Sequence, residues 1–125
     1  IRSVADGKYH YIRNLTPERL YMEKHVMGRP PYNTYWPSWQ FDATRDQHTY
    51  RLIYRYMHRP GEELYRMDKD PYEMENLAGD DDHQDIMMRL SAELDRWMDQ
   101  QNDPGIPLDT WDQYEAARKG NHFTR

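Results

Sequence analysis

A chain of 125 residues accommodates one domain with one core and is too short for two. Its net charge of −5, with basic residues spread among acidic ones, excludes a general nucleic-acid binder, and the absence of cysteine excludes thiol nucleophiles and thiolate metal sites. No apolar run approaches the ~20 residues that span a bilayer, and a mean hydropathy of −1.24 beside 11 Tyr, 4 Trp and 8 Met indicates an ordered, thin layer that packs against something larger.

The first fifteen residues have the composition of a β-hairpin. Val4 ends one arm, Asp6-Gly7 supplies the turn, and Lys8 to Ile12 forms the second arm. Asp-Gly between two β-prone runs is typical of a tight hairpin turn, because glycine accepts the positive φ angle that such turns require. We therefore predict a hairpin over residues 1–15.

Residues 16–39 are broken by prolines and rich in aromatic rings. Because proline removes backbone donors and fixes φ, neither a long helix nor a central strand is expected there. We predict an aromatic loop from Pro30 to Trp39. A loop of this length is typically functional or packed on a partner.

Residues 37–58 are predicted to be helical in two pieces, with Ser38, Asp42 and Asp46 as candidate caps. A strand over Tyr50–Tyr56 is the alternative, since this stretch is rich in Tyr and also contains Ile. Helix is favoured because the apolar residues recur at helical spacing. These residues are Leu52, Ile53, Tyr56 and Met57.

The second half of the chain predicts a short strand and a long helix. The strand covers Glu63–Met67 and ends in an Asp-Pro turn over residues 68–71, with irregular chain over residues 72–78. The helix runs from about Asp82 to Gln101 and ends before Pro104. One apolar stripe follows this helix, and its residues Leu90, Leu94 and Trp97 are expected to be buried against the sheet. The stripe consists of Ile86, Leu90, Leu94, Trp97 and Met98.

No catalytic or metal-binding constellation stands out. The six His residues include no pair at i, i+4 spacing on a helix, and neither a His-Glu-x-x-His motif nor an Asp/Asn/Gly calcium loop occurs. Asp80-Asp81-Asp82 with His83 can attract a cation, but a solvated helix N-terminus is the favoured interpretation. The serines lack the context of an activated nucleophile. We assign no catalytic residue and no metal ligand.

Aromatic and basic residues around the proline-rich segment are the candidate substrate-binding residues. Aromatic faces stack on sugar rings and Arg forks pair with sulfate or carboxylate, so this segment can face an anionic sugar. The favoured alternative is that the rings cover a neighbouring domain, and a third interpretation is that the two Trp side chains close this domain's own core. The candidates are Arg29, Tyr32, Trp36 and Trp39.

Several strings, in order along the chain, resemble the C-terminal subdomain of sulfatases. Residues 6–12, Asp-Gly-Lys-Tyr-His-Tyr-Ile, resemble the family's hairpin "dGryKyI", and residues 90–98 resemble its helix "LxxELxxWM". Residues 59–78 resemble the stretch "RPxEELYDLxxDPxExxNLA", with Arg66 where the family commonly has Asp. Their order and the aromatic middle are most similar to heparan N-sulfatases (sulfamidases) and their bacterial relatives, over about residues 1–108.

The resemblance implies an α+β fold, in which a small antiparallel sheet of about four strands is packed by a long C-terminal helix. Residues 1–108 would form the sulfatase C-terminal subdomain, and residues 109–125 a tail with a short helix over Trp111–Lys119. Because the first residue is Ile1, without an initiator Met, we expect the chain to be part of a longer protein.

The resemblance also implies what the parent enzyme does. Sulfatases hydrolyse sulfate esters or N-sulfate groups, here on glycosaminoglycan-type sugars, with calcium and a formylglycine made from the Cys of a Cys-x-Pro-Ser-Arg motif. This segment has no Cys and no counterpart to those calcium ligands, so we expect it to be inactive alone and to hold no cofactor.

The expected partners are an N-terminal sulfatase catalytic domain and a sulfated saccharide, in a periplasmic, secreted or lysosomal parent protein. Two alternatives stay open: a stand-alone carbohydrate-binding module, and a structural interaction domain whose parent has lost activity.

Overall fold

A computed structural model describes residues 1–21, 23, 26 and 35–106. The predicted tail over residues 109–125 and the candidates Arg29 and Tyr32 lie outside the described residues. The described elements confirm the α+β class, and none of their helices is long and apolar enough to cross a membrane. In chain order they are β1 (Arg2–Ala5), β2 (Tyr9–Arg13), α1 (Tyr35–Ala43), α2 (Gln47–Met57), β3 (Glu62–Arg66), a 3-10 turn (Asp81–His83) and α3 (Gln84–Gln100).

The first two strands form the predicted hairpin. Gly7 has a φ of +86°, a left-handed conformation that glycine adopts without strain. The Oδ1 atom of Asp6 accepts hydrogen bonds from the backbone N–H groups of Lys8 (3.0 Å) and Tyr9 (2.8 Å). The Asp-Gly turn is therefore held by its own side chain as well as by strand pairing.

The described strands form one antiparallel sheet in the order β1-β2-β3, three strands where about four were expected. Tyr11 pairs with Leu64 and His10 pairs with Tyr65 across β2 and β3. Since side chains alternate along a strand, Tyr11 and Leu64 face one side of the sheet, whereas His10 and Tyr65 face the other.

Helix α3 covers the first side of the sheet and completes the core. Leu90 and Leu94 are fully buried there, as predicted, together with Met87. The burial predicted for Trp97 is wrong, because its side chain is 47% exposed. Met98 in the same turn packs against the core instead. At about 100° per residue, Trp97 lies at the edge of the face formed by Met87, Leu90 and Leu94. The core cluster consists of Tyr9, Tyr11, Leu64, Met87, Leu90 and Leu94.

Helices α1 and α2 confirm the two-piece helical prediction but correct its boundaries. The predicted loop up to Trp39 is wrong at its end, since α1 begins at Tyr35. Pro37 lies in the first turn of α1, where a backbone N–H has no partner within the helix, so proline is tolerated. Ser38 lies inside α1, as does Asp42, and neither is a cap at its start.

Asp46 caps α2, as predicted. Its Oδ2 atom accepts a hydrogen bond of 2.6 Å from the backbone N–H of Thr49, which supplies a partner for one of the free donors at the helix start. The strand considered for Tyr50–Tyr56 is therefore excluded.

The segment with α1 and α2 is inserted between the adjacent strands β2 and β3. The backbone N–H of Asn14 donates to the carbonyl of Gly61 (2.8 Å) at the base of this insertion, and that of Tyr21 donates to the carbonyl of Met57 (2.8 Å). Helix α2 has no buried residue, and α1 buries only Trp36. The pair therefore forms a layer without a core of its own.

Residues 67–80 return the chain from β3 to α3 without regular structure, as predicted. The Oδ1 atom of Asn76 accepts hydrogen bonds from the backbone N–H groups of Leu64 (2.9 Å) and Ala78 (3.0 Å). Glu73 has a φ of +54°, which is unusual for a residue with a side chain. The predicted strand is confirmed, shifted by one residue to Glu62–Arg66.

Candidate functional site

An apolar cavity of about 330 Å³ lies between α1 and α2. The ring centroid of Trp36 lies 6.2 Å from that of Trp39 and 5.5 Å from that of Tyr56, so the three rings together form one side of the cavity. Burial is the main cause that raises the pKa of the Tyr56 hydroxyl. The lining residues are Trp36, Trp39, Thr49, Leu52, Ile53 and Tyr56.

The structure brings together two of the four predicted substrate-binding residues. Both rings line the cavity: Trp36 is buried, with 6% of its side chain exposed, whereas Trp39 is 46% exposed. Arg29 and Tyr32 lie outside the described residues, so their predicted roles stay predictions.

The cavity lining offers little for a charged or hydroxylated ligand. Among the described residues no charged side chain lines it, and the hydroxyl of Thr49 already bonds to the Oδ2 atom of Asp46 (2.6 Å). An apolar side chain fits such a lining better than an anionic sugar, whose polar groups would lose their hydration without compensation.

A second, polar cavity of about 240 Å³ lies on the side of the sheet that α3 leaves open. Arg55 extends from α2 across this side. Its guanidinium donates to the hydroxyl of Tyr65 (3.0 Å) and to the backbone carbonyls of Met74 (2.8 Å) and Glu73. This one side chain thereby ties α2 to both the sheet and the loop after β3.

A buried carboxylate supports this side of the sheet. The Oε1 atom of Glu63 accepts a hydrogen bond from the Nδ2 atom of Asn14 (2.7 Å), and its Oε2 atom accepts one from the hydroxyl of Tyr65. Burial, and then the hydrogen bond to Glu63, raise the pKa of the Tyr65 hydroxyl to about 12. Tyr65 therefore stays protonated. Its hydroxyl donates to Glu63 and accepts from Arg55, so the three side chains hold one another in position.

Arg59 lines the second cavity and also a third cavity, of about 250 Å³, beside residues 14–21. Its guanidinium lies 4.1 Å from the ring centroid of Tyr21 and 5.6 Å from that of Tyr56. Such cation–π contacts hold an Arg in place without neutralising its charge.

Sequence reasoning missed Arg55 and Arg59 as functional candidates. Arg59 appeared there only as the first residue of the string over residues 59–78. Helical spacing gave no signal for the pair, because α2 ends at Met57 and Arg59 follows it. The partners that define the site come from β2, β3 and the following loop, which spacing along the helix does not reveal.

The described residues do not fit the calcium and formylglycine centre implied by the resemblance. The sequence has no Cys to convert, and the described part of the chain holds no group of three His, Cys, Asp or Glu residues able to bind a metal. Asp80 instead caps the turn before α3: its carboxylate accepts from the backbone N–H of Asp82 (3.0 Å) and lies 2.9 Å from the Nδ1 atom of His83.

Comparison with known proteins supplies a family context. No family model matches the chain. It is 32% identical over 99 residues, 78% of its length, to an ulvan-active sulfatase from Formosa agariphila. A second ulvan-active sulfatase from the same organism is 30% identical over 115 residues, 87% of the chain.

These similarities support a relationship to the sulfatase family. The predicted preference for the heparan N-sulfatase type receives no support from them. The chain spans only 16% and 20% of the lengths of these two sulfatases.

Proposed function

We propose that this chain is the accessory C-terminal domain of a sulfatase that hydrolyses sulfate esters or N-sulfate groups on an anionic polysaccharide. The proposal rests on one observation. Over 78% of its length the chain is 32% identical to a sulfatase, and it spans 16% of that sulfatase's length. The formylglycine and calcium would belong to an N-terminal catalytic domain of the same protein, in a periplasmic, secreted or lysosomal setting. The polysaccharide is of the glycosaminoglycan type or similar to the ulvan named for the two relatives.

The helix pair would supply the surface that packs on this catalytic domain. Several exposed apolar side chains lie on α1 and α2, and two of them, Trp39 and Leu52, line the apolar cavity. A large exposed apolar patch normally marks an interface. The cavity would accept an apolar side chain of the partner, which suits its lack of charged lining. The exposed residues are Trp39, Phe41, Tyr50, Leu52 and Tyr54.

The proposal is tested by turnover of 4-nitrophenyl sulfate with added calcium. The complete protein should hydrolyse it, and should lose activity when the Cys of its Cys-x-Pro-Ser-Arg motif is changed to Ala. Residues 1–125 alone should show no turnover, since they contain no nucleophile of this type. Turnover by the isolated chain, or a complete protein without such a motif, would contradict the proposal.

A stand-alone carbohydrate-binding or structural interaction domain is the second candidate. The half-exposed ring of Trp39 beside the cavity favours it, because exposed aromatic faces stack on sugars. In that case the isolated chain should bind neutral oligosaccharides with a change in Trp fluorescence, and Trp39→Ala should abolish the change. Under the sulfatase proposal, Trp39→Ala should instead lower the thermal stability of the complete protein, while Met88→Ala on the exposed side of α3 should not.

A further inference from the structure

In the polar cavity on the open side of the sheet, the acidic side chains and the arginines differ in their partners. Each of its two carboxylates has partners of its own. Glu63 is bonded to Asn14 and Tyr65, and the Oε1 atom of Glu73 lies 2.5 Å from the Nδ1 atom of His10. Both carboxylates therefore have hydrogen-bond partners other than the two arginines of the cavity.

Neither arginine of this cavity contacts a carboxylate of the described residues. Arg55 donates to two backbone carbonyls and to the hydroxyl of Tyr65, all of which are neutral groups. Arg59 contacts only the rings of Tyr21 and Tyr56 within the part of the chain that the structure describes. Since a guanidinium is always charged and carries five N–H donors, Arg59 retains its full capacity to bind an anion.

We infer that this cavity is a subsite for one anionic sugar unit, whose sulfate or carboxylate group pairs with Arg59. An anion is favoured there because neither arginine has a carboxylate partner among the described residues, whereas its attachment to a saccharide rests on the proposed sulfatase function. The subsite is separate from the apolar cavity between α1 and α2, although Leu52 and Tyr56 line both.

Arg59 is positioned in advance for this role. The rings of Tyr21 and Tyr56 hold the guanidinium, so little side-chain entropy is lost when the anion binds. The planar fork of Arg matches two oxygens of a sulfate or carboxylate, which the ammonium of Lys does not reproduce.

The size of the cavity and its rim favour a single sugar unit. Its volume of about 240 Å³ is below the ~300 Å³ at which sites for larger small-molecule ligands begin. Tyr72 lines the cavity and is 84% exposed, so that its ring can cover one face of a sugar whose anionic group points towards Arg59.

Calorimetric titration of the full chain tests the inference with three probes: a sulfated disaccharide, the same disaccharide after desulfation, and inorganic sulfate. The sulfated disaccharide should bind the most tightly of the three. Arg59→Gln should weaken its binding by about 10-fold or more, the effect expected for loss of a bidentate charge-assisted contact. Arg59→Lys should retain part of the affinity, because it keeps the charge and loses the fork.

Arg51→Gln is the matched control, since Arg51 is exposed on α2, which ends two residues before Arg59, and lines neither cavity described around Arg59. It should change the affinity by less than about 2-fold, since an exposed charge outside the site acts only through screened electrostatics. Equal losses in Arg51→Gln and Arg59→Gln would overturn the inference. So would tight binding of the desulfated disaccharide, or binding of inorganic sulfate as tight as that of the sulfated disaccharide, which would indicate an adventitious ion only.

The thermal transition of each variant separates a binding defect from unfolding. If Arg59→Gln does not fold, Tyr72→Ala provides the second test, because its exposed ring makes no described contact that holds the sheet together. It should weaken binding of the sulfated disaccharide and leave inorganic sulfate unaffected. Unchanged disaccharide binding in Tyr72→Ala would then overturn the inference. Aryl sulfate turnover by the complete protein is a separate readout, so failure of the sulfatase proposal and failure of this subsite are distinguishable.

Discussion

The sheet with α3 and the pair α1–α2 are built in opposite ways. The first region shares one core around Tyr11 and Leu94, and an ion pair between Arg2 and Asp103 ties the hairpin to the residues that follow α3. In the second region α2 buries no residue, and α1 buries only Trp36. We therefore expect the first region to supply most of the stability of the domain, while the partner and ligand surfaces proposed above lie in or beside the second.

The largest effect is expected in the shared core. Leu94→Ala should lower the free energy of unfolding by about 2–5 kcal/mol, because the cavity left behind adds to the lost burial. Urea denaturation of the full chain measures this change. Met88→Ala is the control on the exposed side of the same helix and should stay within about 0.5 kcal/mol. Equal losses would mean that α3 is not packed on the sheet as described.

A smaller and confined effect is expected in the helix pair. Trp36→Ala should remove the only buried side chain of α1, so that amide hydrogen exchange in α1 and α2 accelerates by about 10-fold or more while α3 keeps its protection. Trp39→Ala, at an exposed position on the same helix, should accelerate exchange less. If protection in α3 falls as far as in α1, the two regions unfold as one unit and the comparison fails.

The smallest effect is expected when the pH is lowered, which should reduce the melting temperature through the first region, the sheet with α3. The backbone N–H of Tyr9, and then Arg89 of α3, lower the pKa of Asp6 from 3.8 to about 2. A carboxyl whose folded pKa is lowered stabilises the fold above its unfolded pKa, and this contribution is lost as the pH falls through the folded pKa.

The melting temperature should therefore drop between about pH 4 and pH 2, together with the pairing of Asp6 to Arg89. Asp6→Asn should melt at a lower temperature at pH 5 and show a flatter decline towards pH 2. Because these groups are partly exposed, added salt should reduce the difference. A decline of unchanged slope in Asp6→Asn would assign the acid response to other groups.

The elements that local signals determine could be predicted from the sequence. Asp6-Gly7 specifies the hairpin turn within a few residues, and the periodic leucines of α3 specify its buried face. The start of α1 was missed because Pro37 was weighed as a helix breaker, although the first helical turn accepts proline. The burial of Trp97 was overestimated because the predicted stripe omitted Met87, and the face that is buried is centred on Met87, Leu90 and Leu94 with Trp97 at its edge.

The candidate site could be predicted only in part. Aromatic richness pointed to Trp36 and Trp39, which do line one cavity. The proposed arginine subsite depends on Arg59 lining one cavity with side chains from β2, β3 and the loop after it, and such proximity of distant segments leaves no periodic trace in the sequence. The pairing of Glu63 with Asn14 is of the same kind.

The hydrogen bond between Asn14 and Gly61 has a consequence for how the chain can vary. It closes the ends of residues 14–61, so the three strands would form a simple meander without that insertion. The entropy of closing a flexible segment grows only with the logarithm of its length, and doubling it costs about 0.6 kcal/mol. The insertion can therefore lengthen, shorten or exchange its helices at little cost to the pairing of β2 with β3. A chain built in this way can acquire a new surface for partners while its strand register stays the same.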